Sequence, residues 1–228
     1  MKRYCLYLFI LIGISCSAEL KAQRNGTVYK GNDPAVRYTG RTLVSPDGSV
    51  AFDWVGTYLE TRFTGGKLSV RVSETGTSYY NVFVDGKLHK VVKVCGTDTL
   101  IHLVSGIDKR IHSLKIQKRS EGEFGKTTVH QFVLSGSGRL AEEPAVRTRH
   151  IEFIGNSLTC GYGTDGKHRD EPFLVETENC NLTFASMVAR YYDADYTLIA
   201  HSGRGAARNY GCLLYTSDAA DDGESVDL

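Results

Sequence analysis

The residues read as a jelly-roll-like β-sandwich over positions 24–143, followed by the first part of an α/β domain over 149–211. Three patterns carry this reading. Apolar and polar residues alternate at period two through the first half, as they do in strands that bury one face. No 3.6-residue periodicity of useful length interrupts them. After Arg149 the pattern changes to strand, turn, helix and strand, the order of one α/β unit with a parallel strand pair.

In the first half, Leu68, Val70 and Val72 alternate with Ser69, Arg71 and Ser73. Tyr80, Val82 and Val84 alternate with Asn81, Phe83 and Asp85. Asp85-Gly86 is a hairpin turn, with Lys87 to Val94 as the return strand. Leu100 to Val104, Ile111 to Gln117 and Val129 to Leu134 continue the series. Gly65-Gly66, Gly76, Gly96, Gly106 and Gly122 punctuate it. Short strands at this spacing suggest a sandwich. Ser135 to Gly138 and Ala141 to Pro144 form the boundary linker. In the second half, Ile151 to Ile154 is a strand and Gly155-Asn156-Ser157 a tight turn. Phe184, Met187, Val188 and Tyr191 fall at helix spacing, with Asn181 or Thr183 as cap. Tyr196 to Ala200 is the second strand.

Composition bounds the function. The 228 residues carry 27 basic and 26 acidic side chains, net +1, with 41% hydrophobic residues. That excludes a disordered, collagen-like or coiled-coil chain. The balanced charge argues against a nucleic-acid partner. Met1-Lys2-Arg3, an uncharged run to Ile14 and small residues after it make residues 1–22 a signal peptide. The apolar run is too short for a membrane span. The chain is therefore expected to be secreted or periplasmic, with lipidation at Cys16 as the lesser reading. From Cys212 the string Cys-Leu-Leu-Tyr-Thr-Ser-Asp-Ala-Ala-Asp-Asp resembles a translated transposon-end adapter, so residues 212–228 are expected to be non-native. Between these ends lie Cys95, Cys160 and Cys180. Either Cys160 pairs with Cys180 or all three are free thiols. No cysteine–histidine spacing suits a metal.

The chemistry centres on Ser157. A strand that ends in Gly-Asn-Ser ahead of a helix exposes the serine hydroxyl and leaves nearby amides without internal acceptors. Gly155 permits the sharp turn. The bland alternative is a serine N-cap. Of seven histidines, only His201, at the end of the second strand, lies near this turn. Trp54, Tyr79 and Tyr80 suit core and sheet packing, with sugar stacking as the other reading.

Ile151-Glu152-Phe153-Ile154-Gly155-Asn156-Ser157-Leu158-Thr159-Cys160-Gly161-Tyr162-Gly163 is similar to the first block of SGNH (GDSL-type) hydrolases. Asn before the serine and the ending Cys-Gly-Tyr-Gly resemble carbohydrate esterase family two. Further similar segments are Glu178-Asn179, Ser202-Gly203-Arg204-Gly205 and Arg208-Asn209-Tyr210-Gly211. In the sandwich, Phe52-Asp53-Trp54, Arg62 to Gly65, Val84-Asp85-Gly86 and Lys118-Arg119-Ser120-Glu121 resemble that family's jelly roll. The resemblance implies a truncated SGNH hydrolase domain of flavodoxin-like three-layer form. It implies a cofactor-free and metal-free serine esterase that removes acetyl groups from plant polysaccharide such as xylan or glucomannan. Ser157 is then the nucleophile, with its own amide and that of Gly203 (Gly205 as the alternative) receiving the oxyanion. The family's later Asn and His blocks are not found here, so the chain by itself is expected to be nearly inert. Two other readings compete. One is a carbohydrate-binding sandwich joined to a non-catalytic hydrolase remnant; the other is an SGNH lipase or thioesterase.

Overall fold

The computed structural model describes residues 26–142 and 144–211. The leader read over 1–22 and the tail read over 212–228 lie outside the described residues.

Ten strands form one antiparallel sheet system. They are β1 (Gly26–Lys30), β2 (Val36–Thr39), β3 (Leu43–Val44), β4 (Val50–Phe52), β5 (Tyr58–Glu74), β6 (Thr77–Val84), β7 (Lys87–Cys95), β8 (Thr99–Lys118), β9 (Thr127–Ser135) and β10 (Arg139–Leu140). The path runs β3-β4-β9-β5-β8-β6-β7, with β1 on β9 and β2 and β10 on β5. This is a jelly-roll-like arrangement. Its core holds Phe63, Leu68, Val82, Leu103, Leu114, Phe132 and Leu134 among others, all nearly inaccessible. Each such side chain contributes about 1.5–3 kcal/mol through burial.

Two of the glycine punctuation marks do not end strands. β5 runs 17 residues through Gly65-Gly66, and β8 runs 20 residues through Gly106. Gly66 (φ +81°) and Gly106 (φ +69°) adopt the left-handed region inside the strands. The β5–β8 register shifts around Gly66. A Cβ on Gly66 would stand 2.3 Å from the Ser135 carbonyl oxygen. The irregularity is a bulge, across which β5 changes partners: Tyr58–Thr64 pairs with β2 and β10, and Lys67–Glu74 pairs with β9. The Asp85-Gly86 hairpin follows the sequence reading, with φ +50° and +75° at the two turn residues.

β11 (His150–Gly155) and β12 (Asp195–Ala200) pair in parallel, in register from His150 with Asp195 to Gly155 with Ala200. Between them lie α1 (Ser157–Cys160), two 3-10 turns and α2 (Phe184–Tyr191). α2 occupies the span expected of it but shows its other face. Phe184, Met187 and Tyr191 are exposed, while Ala185, Ser186 and Ala189 are buried against β12 and its neighbours. Small residues allow close approach to the sheet, and the larger apolar stripe is left outside. Thr183 holds the cap position, yet its hydroxyl donates to the Cys180 carbonyl at 2.9 Å instead of accepting from the helix.

A second core joins the two sheets. Val55 and Tyr58 of the sandwich pack with Cys160, Cys180, Ala185, Ala189, Tyr196, Leu198 and Ala200. Cys160 and Cys180 are buried free thiols, so the disulfide considered for them is not formed. Burial raises both thiols' pKa, that of Cys180 to about 12. Beside this core, Asp195 accepts from Arg37 (2.7 Å), Arg147 (2.8 Å) and Tyr58 (2.6 Å). Burial alone would raise the Asp195 pKa; these bonds outweigh it and hold the carboxyl at about 2.

Candidate active site

Ser157 stands at the corner between β11 and α1 and is half-buried. Gly155 is required there, because a Cβ would meet the Thr159 hydroxyl oxygen at 2.0 Å. Asn156, not Ser157, is the N-cap: its side-chain oxygen accepts the Leu158 amide at 3.2 Å. The Asn156 carbonyl takes the Thr159 and Cys160 amides. The Ser157 amide and hydroxyl make no hydrogen bond among the described residues. The helix expected after the serine is a single turn of four residues. Local unpaired amides, rather than a long helix dipole, therefore set the potential at this corner.

Ser157 lines an open cleft of about 980 Å³ with Asn156, Tyr162, Ser202, Gly203, Gly205 and Tyr210, and with Glu123, Arg204 and Arg208 at its charged positions. Ser157, Gly203 and Gly205, all singled out from the sequence, thus share one cleft. The two glycines differ. Gly203 (φ +78°) has an amide without an acceptor among the described residues, and its carbonyl accepts the Tyr210 amide at 2.8 Å. The Gly205 amide is already directed at the Asn209 side-chain oxygen, at 3.3 Å.

His201 faces elsewhere. Its Nδ1 lies 2.7 Å from the Ser202 carbonyl oxygen, and its ring stands 3.7 Å from Glu121 and 3.6 Å from Glu123. With Trp54 and Asp53 it lines a separate cavity of about 200 Å³. No histidine among the described residues bonds to the Ser157 hydroxyl. Tyr80 is buried in the sandwich core, and Tyr79 reaches Glu176 at 3.3 Å.

Residues that sequence reasoning left without a role hold the loop after α1 and the loop after β12. Arg119, just past β8, is 2% exposed and donates to the Glu178 carbonyl (2.6 Å), the Glu176 carbonyl (3.0 Å), Asn81 (3.3 Å) and Asp165. Glu121 accepts from both the amide and the hydroxyl of Ser202. Its own amide donates to Glu178 at 2.9 Å. Burial, assisted by Glu121, raises the Glu178 pKa to about 9. The only signal for these residues was the resemblance of Lys118–Glu121 and Glu178-Asn179 to family segments. Tyr162 stacks on Phe173 at 3.6 Å between ring centroids, and Phe173 in turn contacts Phe124 of the sandwich.

Residues 38–144 match the family model described as the carbohydrate esterase 2 N-terminal domain. The cellulase/esterase CelE of Acetivibrio thermocellus is 34% identical over 180 residues, covering 79% of this chain and 22% of CelE. An acetylxylan esterase / glucomannan deacetylase of Cellvibrio japonicus is 27% identical over 180 residues, covering 78% of this chain and 50% of its own. Among solved structures, a family two carbohydrate esterase from Clostridium thermocellum in complex with cellohexaose superposes with a TM-score of 0.74 at 34% identity. It covers 77% of this chain and 54% of that one. The chain thus spans about half the length of the esterases it matches, and much less of CelE. No helix among the described residues is long and apolar enough to cross a membrane.

Proposed function

Because the chain is related to carbohydrate esterase family two, we propose that it carries the nucleophile half of a serine esterase that removes acetyl groups from a plant polysaccharide such as xylan or glucomannan. The observation that carries this reading is the pairing of Ser157 with Gly203 on one cleft, each with an unengaged amide. In the proposed reaction the Ser157 hydroxyl adds to the acetyl carbonyl and its proton passes to a base. The oxyanion is received by the Ser157 and Gly203 amides. Collapse expels the sugar alkoxide, which takes up a proton, and leaves an acetyl-serine that water hydrolyses to acetate. Gly203 is preferred to Gly205 because the Gly205 amide is directed at Asn209. Export through the leader over residues 1–22 would bring the protein to such a substrate.

A hydroxyl without a positioned base loses most of its reactivity. The 228-residue chain is therefore expected to hydrolyse nitrophenyl acetate only slowly. A chimaera completed with the C-terminal half of the Cellvibrio japonicus esterase should hydrolyse it at least about 100-fold faster, and Ser157→Ala should abolish that gain. A chimaera that folds and binds acetylated xylan without turnover would reject the esterase reading in favour of a binding module. Preference for butyryl over acetyl esters would favour a lipase-like enzyme.

A further inference from the structure

Glu121 belongs to the sandwich, three residues past the end of β8, yet its carboxylate is committed to the loop after β12. The Ser202 amide donates to one carboxylate oxygen at 2.6 Å, and the Ser202 hydroxyl donates to the other. Glu121 is 1% exposed, so a bond from an amide to this anion forms away from competing water. The next residue is Gly203. Its carbonyl is held from the other side by the Tyr210 amide. The peptide between Ser202 and Gly203 is thereby fixed on both flanks.

Glu121 is itself held from behind. Its amide donates to Glu178, whose side chain is wholly buried and whose second oxygen has no hydrogen-bond partner among the described residues. The Cys160 thiol, from the turn after Ser157, lies in the same group, with ligating atoms of all three within 4.8 Å of one another. The His201 ring, 3.7 Å from Glu121, and the buried Lys118 and Arg119 side chains lie beside this cluster. The cluster thus joins the strand end of the sandwich to both cleft-forming turns of the α/β segment.

We propose that Glu121 is a positioning residue of the esterase site: by accepting both donors of Ser202 it aims the Gly203 amide into the Ser157 cleft, so that the sandwich is a structural part of the oxyanion site. This rests on the serine esterase reading above. It makes the sandwich more than an attached binding module.

The test uses the 228-residue chain and the variant Glu121→Gln, which keeps the size of the side chain but loses its charge and one acceptor. Two readouts are taken on folded protein: amide exchange at Ser202 and Gly203 by NMR, and affinity for phenylboronic acid. In the boronate adduct the Ser157 oxygen bonds to boron, the hydroxyl proton goes to buffer, and boron becomes a tetrahedral anion. Glu121→Gln should speed Ser202 exchange and weaken boronate binding, each about 10- to 100-fold, and should shift the Gly203 amide resonance. A purely structural role would lower the melting temperature and leave the boronate affinity of the folded variant unchanged; that result overturns the proposal. Unchanged Ser202 exchange also overturns it. Boronate binding that survives Ser157→Ala rejects the serine reading; in that case, or where the chain binds no boronate, the exchange data alone decide whether Glu121 holds the loop. Should Glu121→Gln not fold, Ser202→Ala removes one of the two bonds and is expected to move both readouts in the same direction.

Discussion

Burial makes Glu178 keep its proton in the folded chain at pH values where an exposed glutamate has lost it. Its pKa stands at about 9 against an ordinary 4.5, because water is excluded and Glu121 lies beside it. Below about pH 4.5 folded and unfolded chains both hold the proton, and stability is undiminished. As pH rises above that, the unfolded chain ionises and the folded one does not, so stability declines toward the folded pKa. Lys118, lowered by burial to about 8, acts only above that value and in the opposite sense, because the unfolded chain then keeps a proton that the folded one has lost. Between pH 5 and 8, urea unfolding should therefore show stability falling by up to about 1.4 kcal/mol per pH unit from this group. Glu178→Gln, which retains the acceptor for the Glu121 amide, should flatten that slope. An unchanged slope would mean that Glu178 ionises normally. Ser157 and its turn were legible in the sequence because Gly155-Asn156-Ser157 is a local geometry written in three adjacent residues. Glu121 and Glu178 were not legible as a pair: 57 positions separate them, and nothing local to either indicates that the fold buries both.

Strands of alternating residues declared themselves, as β6, β7 and β9 do, because period two with one buried face has little competing interpretation. Glycine was the weaker guide. At Asp85-Gly86 it ends a strand, whereas Gly66 and Gly106 bend strands that continue, and only pairing with distant partners separates the two cases. α2 shows the same limit: its spacing identified a helix, but the face that packs is set by the sheet beneath it, which accepts Ala185 and Ala189 and leaves Met187 outside. The loop between α1 and α2 has no periodicity, and its order comes from Arg119. Asn179 adds to this by donating to Asp165 at 3.0 Å and accepting from Asn81 at 3.0 Å. Removing the guanidinium leaves the Glu176 and Glu178 carbonyls without this donor and Asp165 without its charge partner. Arg119→Met should cost about 3–5 kcal/mol in chemical denaturation and should open residues 162–178 to limited proteolysis before the sandwich is cut. Uniform proteolysis along the chain would show that the loop does not depend on this contact.

The two cores of the molecule are unequal. The sandwich core is built wholly from residues between Val36 and Leu140, and none of its buried side chains comes from beyond residue 149. The second core borrows Val55 and Tyr58 from the sandwich, and Tyr58 also bonds to Asp195 at 2.6 Å. Among the described residues its sheet has two strands, and parallel strands are ordinarily covered on both faces. Here Ile154 (80% exposed) and Leu158 (76%) face outward, with Phe184 and Tyr191 also exposed. A two-stranded sheet with an open face does not hold itself together in water. Residues 26–142 expressed alone should therefore give a dispersed NMR spectrum and a cooperative melt. Residues 149–211 expressed alone should give neither, and should recover native shifts only when covalently joined to the sandwich. Tyr58→Phe in the full chain removes the bond to Asp195 while keeping the ring. It should lower the stability of the second sheet by about 1–3 kcal/mol, with far smaller changes in amide exchange of β6 and β9. If the 149–211 fragment folds independently, the sandwich is not its scaffold. The same scaffolding holds the Glu121 carboxylate on Ser202, which lines the cleft, so independence of the two parts would also remove the physical reason for the sandwich to influence Ser157.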